Sequence, residues 1–232
     1  MGSPEAAATI EPRYRLAFTG HSSRYIDVTL DLPAAADGYR LSLPAWIPGS
    51  YLMRDFARHI VGKHAEDAAG RLVTITPVDQ QTWDLAGSDH EIRVHYRVYC
   101  ADFSVRSAHA DSSHVFFNGT SVFLRVHGAE HTRHEVLMAG EGLPADWRVA
   151  TTLPDIAVDE RGFGRYAAAD YEALIDHPVE IADFVERRFT AGGVLHRMVF
   201  TNALPETDFD RIAADVARIC ETLVEPLAGR HG

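Results

Sequence analysis

Cysteine is nearly absent from this chain. Cys100 and Cys220 are the only two in 232 residues, and they lie far apart. Two distant thiols do not make a disulfide framework. Cys100 closes an apolar alternation and Cys220 falls on the apolar face of a helical pattern, so both read as buried core thiols. Long apolar runs are missing as well, and no stretch approaches the ~20 residues that a membrane span needs. Basic clusters are also missing. Arg187-Arg188 is the densest basic pair, it sits beside Glu186, and the formal net charge is -11. Phosphate backbones and anionic membranes demand a basic stripe, so neither nucleic acid nor membrane is expected as a partner. The opening M-G-S-P-E-A-A-A-T-I has no basic segment followed by an apolar one and does not read as a signal peptide. A cytoplasmic location is expected, or a periplasmic one if a signal peptide has been removed. Nucleotide and acyl-transfer motifs are lacking. There is no P-loop, Gly162-Phe163-Gly164 has no third glycine, and Gly49-Ser50 is not part of G-x-S-x-G.

What is present is an ordinary globular composition, 46% hydrophobic and 24% charged, with enough aromatics for a sizeable core. From Tyr14 to about Thr152 the dominant period is two. Tyr14, Leu16 and Phe18 alternate with polar residues. So do Ile26, Val28, Leu30 and Leu32, then Ile92, Val94, Tyr96, Val98 and Cys100, then Val122, Leu124 and Val126. Side chains alternate between the faces of a strand, so each run predicts a half-buried strand. Turn dipeptides separate them: Asp37-Gly38, Pro48-Gly49, Ala69-Gly70, Gly87-Ser88 and Asn118-Gly119. Asn118-Gly119-Thr120 matches the glycosylation sequon but reads better as a type I′ hairpin turn. Strands without intervening helices predict a mainly β fold, an antiparallel sandwich or a curved, saddle-like pair of sheets. Asp159–Gly164 is a polar, glycine-containing connector. Beyond it, Gly192-Gly193 marks a hairpin. A helix starts at Thr207 as N-cap, presents Phe209, Ile212, Val216, Ile219, Cys220 and Leu223 on one face, and ends at Pro226.

Thirteen histidines raise the question of a metal. His127, Glu130, His131, His134 and Glu135 form the densest group, but H-E-x-x-H is absent and H-E-V-L-M reads as a strand, which leaves a polar interstrand loop. His109, Asp111 and His114 are ligand types in S-A-H-A-D-S-S-H, a segment that reads as a loop or strand edge. Asp176 and Glu180 flank His177-Pro178. Paired carboxylates do acid–base chemistry, but a rigid turn or a cis bond is the expected use.

The densest concentration of unusual residues is P-A-W-I-P-G-S-Y-L-M-R-D-F-A-R-H-I, residues 44–60. Pro48-Gly49 sets a turn, Trp46 and Tyr51 are expected as packing anchors, and Ser50 follows the turn. Arg54 is expected as a buried or cleft-facing partner of a carboxylate, in which case Arg54→Ala costs ~3–5 kcal/mol. This stretch resembles the amino-terminal region of the glycyl aminopeptidase family of zinc metallopeptidases (metallopeptidase family 61), many of which carry a PDZ domain. Collinear similarities follow at T-W-D-L (82–85), Y-R-V-Y (96–99), D-F-S-V-R-S-A-H (102–109), F-F-N-G-T-S-V-F-L (116–124) and D-Y-E-A-L-I-D-H-P-V-E-I (170–181). Trp46, Pro48, Gly49, Ser50, Tyr51, Arg54, Asp176, Pro178 and Glu180 are the family-motif positions.

The resemblance implies a parent protein with an all-β domain, a thermolysin-like catalytic domain and a PDZ module, the first two paired as in aminopeptidase N-like enzymes. It implies zinc held by an H-E-x-x-H helix and a downstream Glu, none of which this sequence contains. No catalytic residue, metal ligand or cofactor is therefore assigned to this chain. Residues 1–165 are expected to form the β-domain and 166–232 the start of a truncated catalytic domain. The chain by itself is expected to be inactive. Its expected partners are the rest of the parent, the parent's peptide substrate and, through the exposed C-terminal helix, a second copy. The alternatives are a free-standing β-sandwich binding module and a self-contained metalloenzyme built on the histidine clusters.

Overall fold

A computed structural model describes residues 10–47 and 50–228, with no account of side chains beyond 224. In chain order the strands are β1 (Arg13–Ala17), β2 (Tyr25–Leu32), β3 (Tyr39–Ser42), β4 (Ile60–Asp67), β5 (Leu72–Val73) and β6 (Ile75–Pro77). Next come β7 (Thr82–Leu85), β8 (Ile92–Tyr99), β9 (Ala108–Ala110), β10 (His114–Phe117), β11 (Arg125–Val126) and β12 (His134–Ala139). Then follow β13 (Arg148–Thr151), β14 (Asp155–Val158), β15 (Gly164–Ala168), helix α1 (Tyr171–Ile175), β16 (Val179–Ala182), β17 (Val185–Ala191), β18 (Val194–Phe200) and helix α2 (Phe209–Ala228). The chain divides into two compact units, with the division between Ile181 and Ala182. The expected division at 165/166 instead falls inside β15. The polar run after Asp159 is not a domain connector but the hairpin turn between β14 and β15, in which the Arg161 and Phe163 N–H groups donate to Asp159 Oδ1.

The mainly β expectation holds. The first unit has an eight-stranded sheet in the order β14-β15-β12-β1-β2-β8-β4-β5 and two four-stranded sheets, β13-β16-β10-β9 and β11-β3-β7-β6. Neighbours in the large sheet are antiparallel except β1 and β12, which run parallel. The period-two reading of β2 is realised: Ile26, Val28, Leu30 and Leu32 are buried, and Asp27, Thr29 and Asp31 lie on the other face. On that outer face the register sets Asp27 opposite Arg97 and Asp31 opposite Arg93, and both pairs close, at 2.9 and 2.7 Å. Opposite charges directly across a pair strengthen the register as well as the sheet. One contiguous core takes residues from all three sheets, among them Leu16, Leu30, Tyr96, Val115, Phe117, Leu41 and Trp83.

Two sequence expectations change in the middle of this core. Asn118-Gly119 is not a hairpin turn. Asn118 caps a short 3-10 helix, Gly119–Ser121, and its Oδ1 accepts from the Thr120 N–H. The glycine is needed for a different reason: a Cβ there would lie 2.8 Å from Ile175 Cα, so the backbone of α1 packs directly on it. Val122–Leu124 is not an alternating strand either, since Phe123 between them is equally buried. Only Arg125–Val126 pairs, with β3. The buried carbonyls of this irregular segment are met by three buried tyrosines. Tyr96 OH donates to the Val122 carbonyl (2.8 Å), Tyr171 OH to Phe123 (2.8 Å) and Tyr14 OH to Leu124 (2.6 Å). Buried carbonyls left unpaired would be costly, and here three distant elements each supply one donor.

In the second unit, β17 and β18 form a hairpin around Gly192 and Gly193, both with positive φ (57° and 77°) as a type I′ turn requires. The α2 helix packs on β17, with Phe209 edge-on to Phe200 and Arg187 paired with Asp210 at 2.5 Å. Its cap is Asp208, whose Oδ1 accepts from the Arg211 N–H, rather than Thr207. The helix runs through Pro226 to Ala228. Ile212, Ile219 and Leu223 of its apolar stripe are exposed and Cys220 is half-buried, whereas Cys100 is fully buried. Among the described residues no helix is long and apolar enough to cross a membrane.

Candidate functional site

The 44–60 stretch is organised around Ser50. Its N–H donates to the Ile47 carbonyl (3.1 Å) and its carbonyl accepts from Trp46 Nε1 (2.7 Å). Its Oγ donates to the Leu52 carbonyl (3.0 Å) and accepts from the Leu52 N–H (3.3 Å) and Arg54 Nε (3.4 Å). The Arg54 N–H closes the loop onto the Ala45 carbonyl at 2.6 Å. Asp55 then adopts φ 45° and starts a 3-10 helix, Phe56–His59, that drives Phe56 and Ala57 into the core. A buried hydroxyl engaged by its own loop, with no base among its described hydrogen-bond partners, is a fastener rather than a nucleophile.

This geometry revises three expectations. Trp46 is 48% exposed and Tyr51 is fully exposed, so neither is a packing anchor, although Trp46 Nε1 ties the loop to the Ser50 carbonyl; Phe56 and Ile60 are the buried residues. Arg54 is half-buried, but its side chain meets the Ser50 hydroxyl rather than a carboxylate. The loop closes through its own backbone and leaves Arg54 no acidic neighbour among the described ion pairs. The Pro48-Gly49 turn lies outside the described residues. Leu52 and Met53 are also exposed, so Trp46, Tyr51, Leu52 and Met53 present four apolar side chains from one short loop.

Ile47 of this loop reaches a cavity of about 600 Å³. Asn118 and Thr120 line it from the 3-10 helix, and Asp170, Ala173, Ile175 and Asp176 from α1 and its ends. Three of the sequence motifs, far apart along the chain, thus converge on one concavity. Asp170 is already committed as the cap of α1, accepting from the Ala173 N–H at 2.7 Å. Asp176 is exposed at the end of the helix, as is Pro178, and among the described residues no peptide bond is cis. His177 Nδ1 pairs with Thr152 Oγ1 at 2.7 Å. Glu180 lies further on in β16, half-buried, with Oε1 enclosed and without a hydrogen-bond partner. Burial pushes its carboxyl up to about 7.

The histidine groups separate into two kinds. His134 is buried in the core beside Tyr14, with Nδ1 against the Thr132 carbonyl, and burial lowers its pKa. His127 meets Ser42 Oγ (2.9 Å) and lies 3.9 Å from Glu130, while His131 is exposed, so the group is spread over a strand and its loop. His109, Asp111 and His114 come together. They flank the β9–β10 hairpin, where the Ser113 and His114 N–H groups donate to Asp111 Oδ1 at 2.8 and 3.2 Å and Asp111 Oδ2 meets His109 Nε2 at 2.9 Å. Burial acts to raise the Asp111 carboxyl, but the hydrogen bonds from Ser113, His109 and the His114 backbone outweigh it and hold the group well below the usual carboxylate range. The H-x-D-x-x-H spacing was visible in the sequence, while the hairpin that folds it together was not. The three tyrosine hydroxyls had no sequence signal at all, because their partners are main-chain atoms 26, 48 and 110 residues away.

Residues 13–183 match the family model described as the peptidase M61 N-terminal domain. Among solved structures, the chain is similar to an aminopeptidase N family protein from Idiomarina loihiensis, at 37% identity and a TM-score of 0.84 over 92% of this chain and 36% of that one. The chain therefore spans about a third of that protein's length. Weaker likenesses are to a two-domain M1 zinc metallopeptidase bound to L-tryptophan (12% identity, TM-score 0.44, 94% of this chain and 54% of that one) and to yeast LTA4 hydrolase (12%, 0.37, 80% and 32%). No curated protein matches the sequence. With about three-quarters of its length matched, the chain belongs to the M61 peptidase family, of which it carries the N-terminal domain.

Proposed function

We propose that this chain is the non-catalytic β-domain, with the opening hairpin and helix of the next domain, of a zinc-dependent aminopeptidase, and that it braces and walls the peptide cleft of that enzyme. The observation that carries the reading is the loop at Trp46–Met53. Its four exposed apolar side chains are held on a hydrogen-bonded frame and sit on the loop whose Ile47 lines the motif-built cavity. Exposed apolar side chains gathered on one loop mark a surface that meets a partner or a ligand. The exposed stripe of α2 is proposed as the seat of further catalytic-domain sequence. The parent's zinc would be held by an H-E-x-x-H segment outside this chain, where the metal would activate a water for attack on the peptide carbonyl.

Hydrolysis of glycyl and alanyl anilides tests this. The chain alone is expected to be inert, with or without added zinc, and a polypeptide continuing into the zinc motif is expected to be active. In that longer protein, Tyr51→Ala with Leu52→Ala is expected to raise KM or abolish activity while the fold persists. Hydrolysis by the chain alone would overturn the proposal in favour of a self-contained metalloenzyme. An inert longer protein would favour a binding module.

A further inference from the structure

Among the described residues, one group of histidine, cysteine and carboxylate side chains is close enough to share an ion. One potential ligand atom from each of His109, Asp111 and His114 lies within 4.8 Å of the others. The two oxygens of Asp111 have different tasks. Oδ1 builds the hairpin turn, accepting from the Ser113 and His114 N–H groups and, at 2.6 Å, from Ser113 Oγ. Oδ2 meets His109 Nε2 at 2.9 Å. His114 Nδ1 lies 3.8 Å from Oδ1 and 3.0 Å from Ser113 Oγ. Two ligands of one zinc ion, each ~2.0–2.2 Å from the metal in tetrahedral geometry, stand roughly 3–3.5 Å apart, so the three ligand atoms, now within 4.8 Å of one another, close together around an ion by a side-chain shift.

Charge points the same way. Both imidazoles are 5% exposed, stacked with ring centres 4.9 Å apart, and Phe103 packs edge-on to each. The only described ion-pair partners of Asp111 are these two histidines. No lysine or arginine is among its described partners, so the carboxylate faces the site without a full counter-charge of its own. A divalent cation at this position supplies that charge; His109 then carries its proton on Nδ1 and offers the Nε2 lone pair, and His114 exchanges its contact with Ser113 Oγ for the metal. Phe103, 74% exposed, places the group just beneath the surface, within reach of an entering ion.

We propose that His109, Asp111 and His114 form a divalent-metal site of zinc type, two imidazoles and one carboxylate, that clamps the β9–β10 hairpin. The donor set suits zinc or another borderline first-row ion rather than calcium or magnesium, which take oxygen ligands. The site stands independently of the aminopeptidase reading, since its test reads metal and not hydrolysis.

The test uses the full chain without an affinity tag, stripped by chelator and titrated with zinc by calorimetry and with cobalt by visible absorption. One equivalent per chain, with cobalt bands of a nitrogen–oxygen site and a zinc-dependent rise in Tm, is expected. Asp111→Asn keeps an oxygen for the turn and is expected to weaken binding by more than about tenfold. His114→Gln leaves the carboxylate in place and is expected to do the same, which keeps the reading open should the first variant fail to fold. His131→Gln, at an exposed histidine, is expected to change nothing. Uptake well below one equivalent, or equal titrations by the wild type and whichever of the two site variants folds, would overturn the site.

Discussion

Two aromatic-rich segments of this chain have opposite fates. Residues 116–124, F-F-N-G-T-S-V-F-L, run through the interior: Phe117, Val122, Phe123 and Leu124 are essentially inaccessible. Residues 46–53 turn Trp46, Tyr51, Leu52 and Met53 to the outside. The hydrogen bonds that fix the two segments come from different places. The interior one borrows hydroxyls from Tyr14, Tyr96 and Tyr171, whereas the outer one closes on its own Ser50. A segment whose hydrogen bonds come from distant elements is locked to the fold. A segment that satisfies itself can hold its side chains out for something else. Aromatic content therefore does not separate core from contact surface, and the source of the hydrogen-bond partners does.

The comparison makes graded predictions for equilibrium unfolding. The largest effect is expected from Phe123→Ala, which opens a cavity in the shared core and should cost about 3–5 kcal/mol. A cost below about 1 kcal/mol would mean that the interior segment is not locked as described. Tyr96→Phe keeps the ring but leaves the Val122 carbonyl buried without its donor, and about 1–3 kcal/mol of destabilisation is expected.

Glu180 sharpens the same side of the comparison, since it lies on β16 beside β10, which leads into the interior segment. Its carboxyl is raised from 4.5 to about 7 by burial. Between these values the folded protein keeps a proton that the unfolded chain has released, so this group's contribution is full below about pH 4.5 and is lost as pH rises through about 7. A loss on the order of 1 kcal/mol is expected across that window. Glu180→Gln should flatten this part of the stability–pH curve, and an unchanged slope would remove Glu180 as its source.

Smaller effects are expected in the outer loop. Arg54→Ala removes a 3.4 Å contact to a neutral hydroxyl, not a buried ion pair, and about 1 kcal/mol or less is expected. The ~3–5 kcal/mol of a broken buried pair, if measured, would restore a carboxylate partner for Arg54. Tyr51→Ala is expected to leave stability within about 0.5 kcal/mol. A larger loss would break the comparison, because the loop would then be part of the core.

Local pattern was enough for much of this protein. The alternation in Tyr25–Leu32 and Ile92–Tyr99 predicts both strands, their buried faces and their charged faces, because side-chain direction in a strand has a period of two whatever the partner. The glycine pair at 192–193 predicts its hairpin, because positive φ at two successive residues has few other uses. The resemblance of residues 44–59 and of the collinear stretches after them implies the family that residues 13–183 match.

Tertiary structure alone decided the rest. Asn118-Gly119 has the composition of a hairpin turn, but the approach of α1 to Gly119 makes it a packing point. Asp159–Gly164 has the composition of a linker, but its flanking strands pair with each other and keep it within the first unit. Residue type alone makes Arg54 and Trp46 anchors, while burial depends on what passes over them. The His109–Asp111–His114 group needed a hairpin to close it, and the tyrosine donors needed carbonyls dozens of residues away. Long-range contacts carry no period along the chain, so no local pattern reveals them.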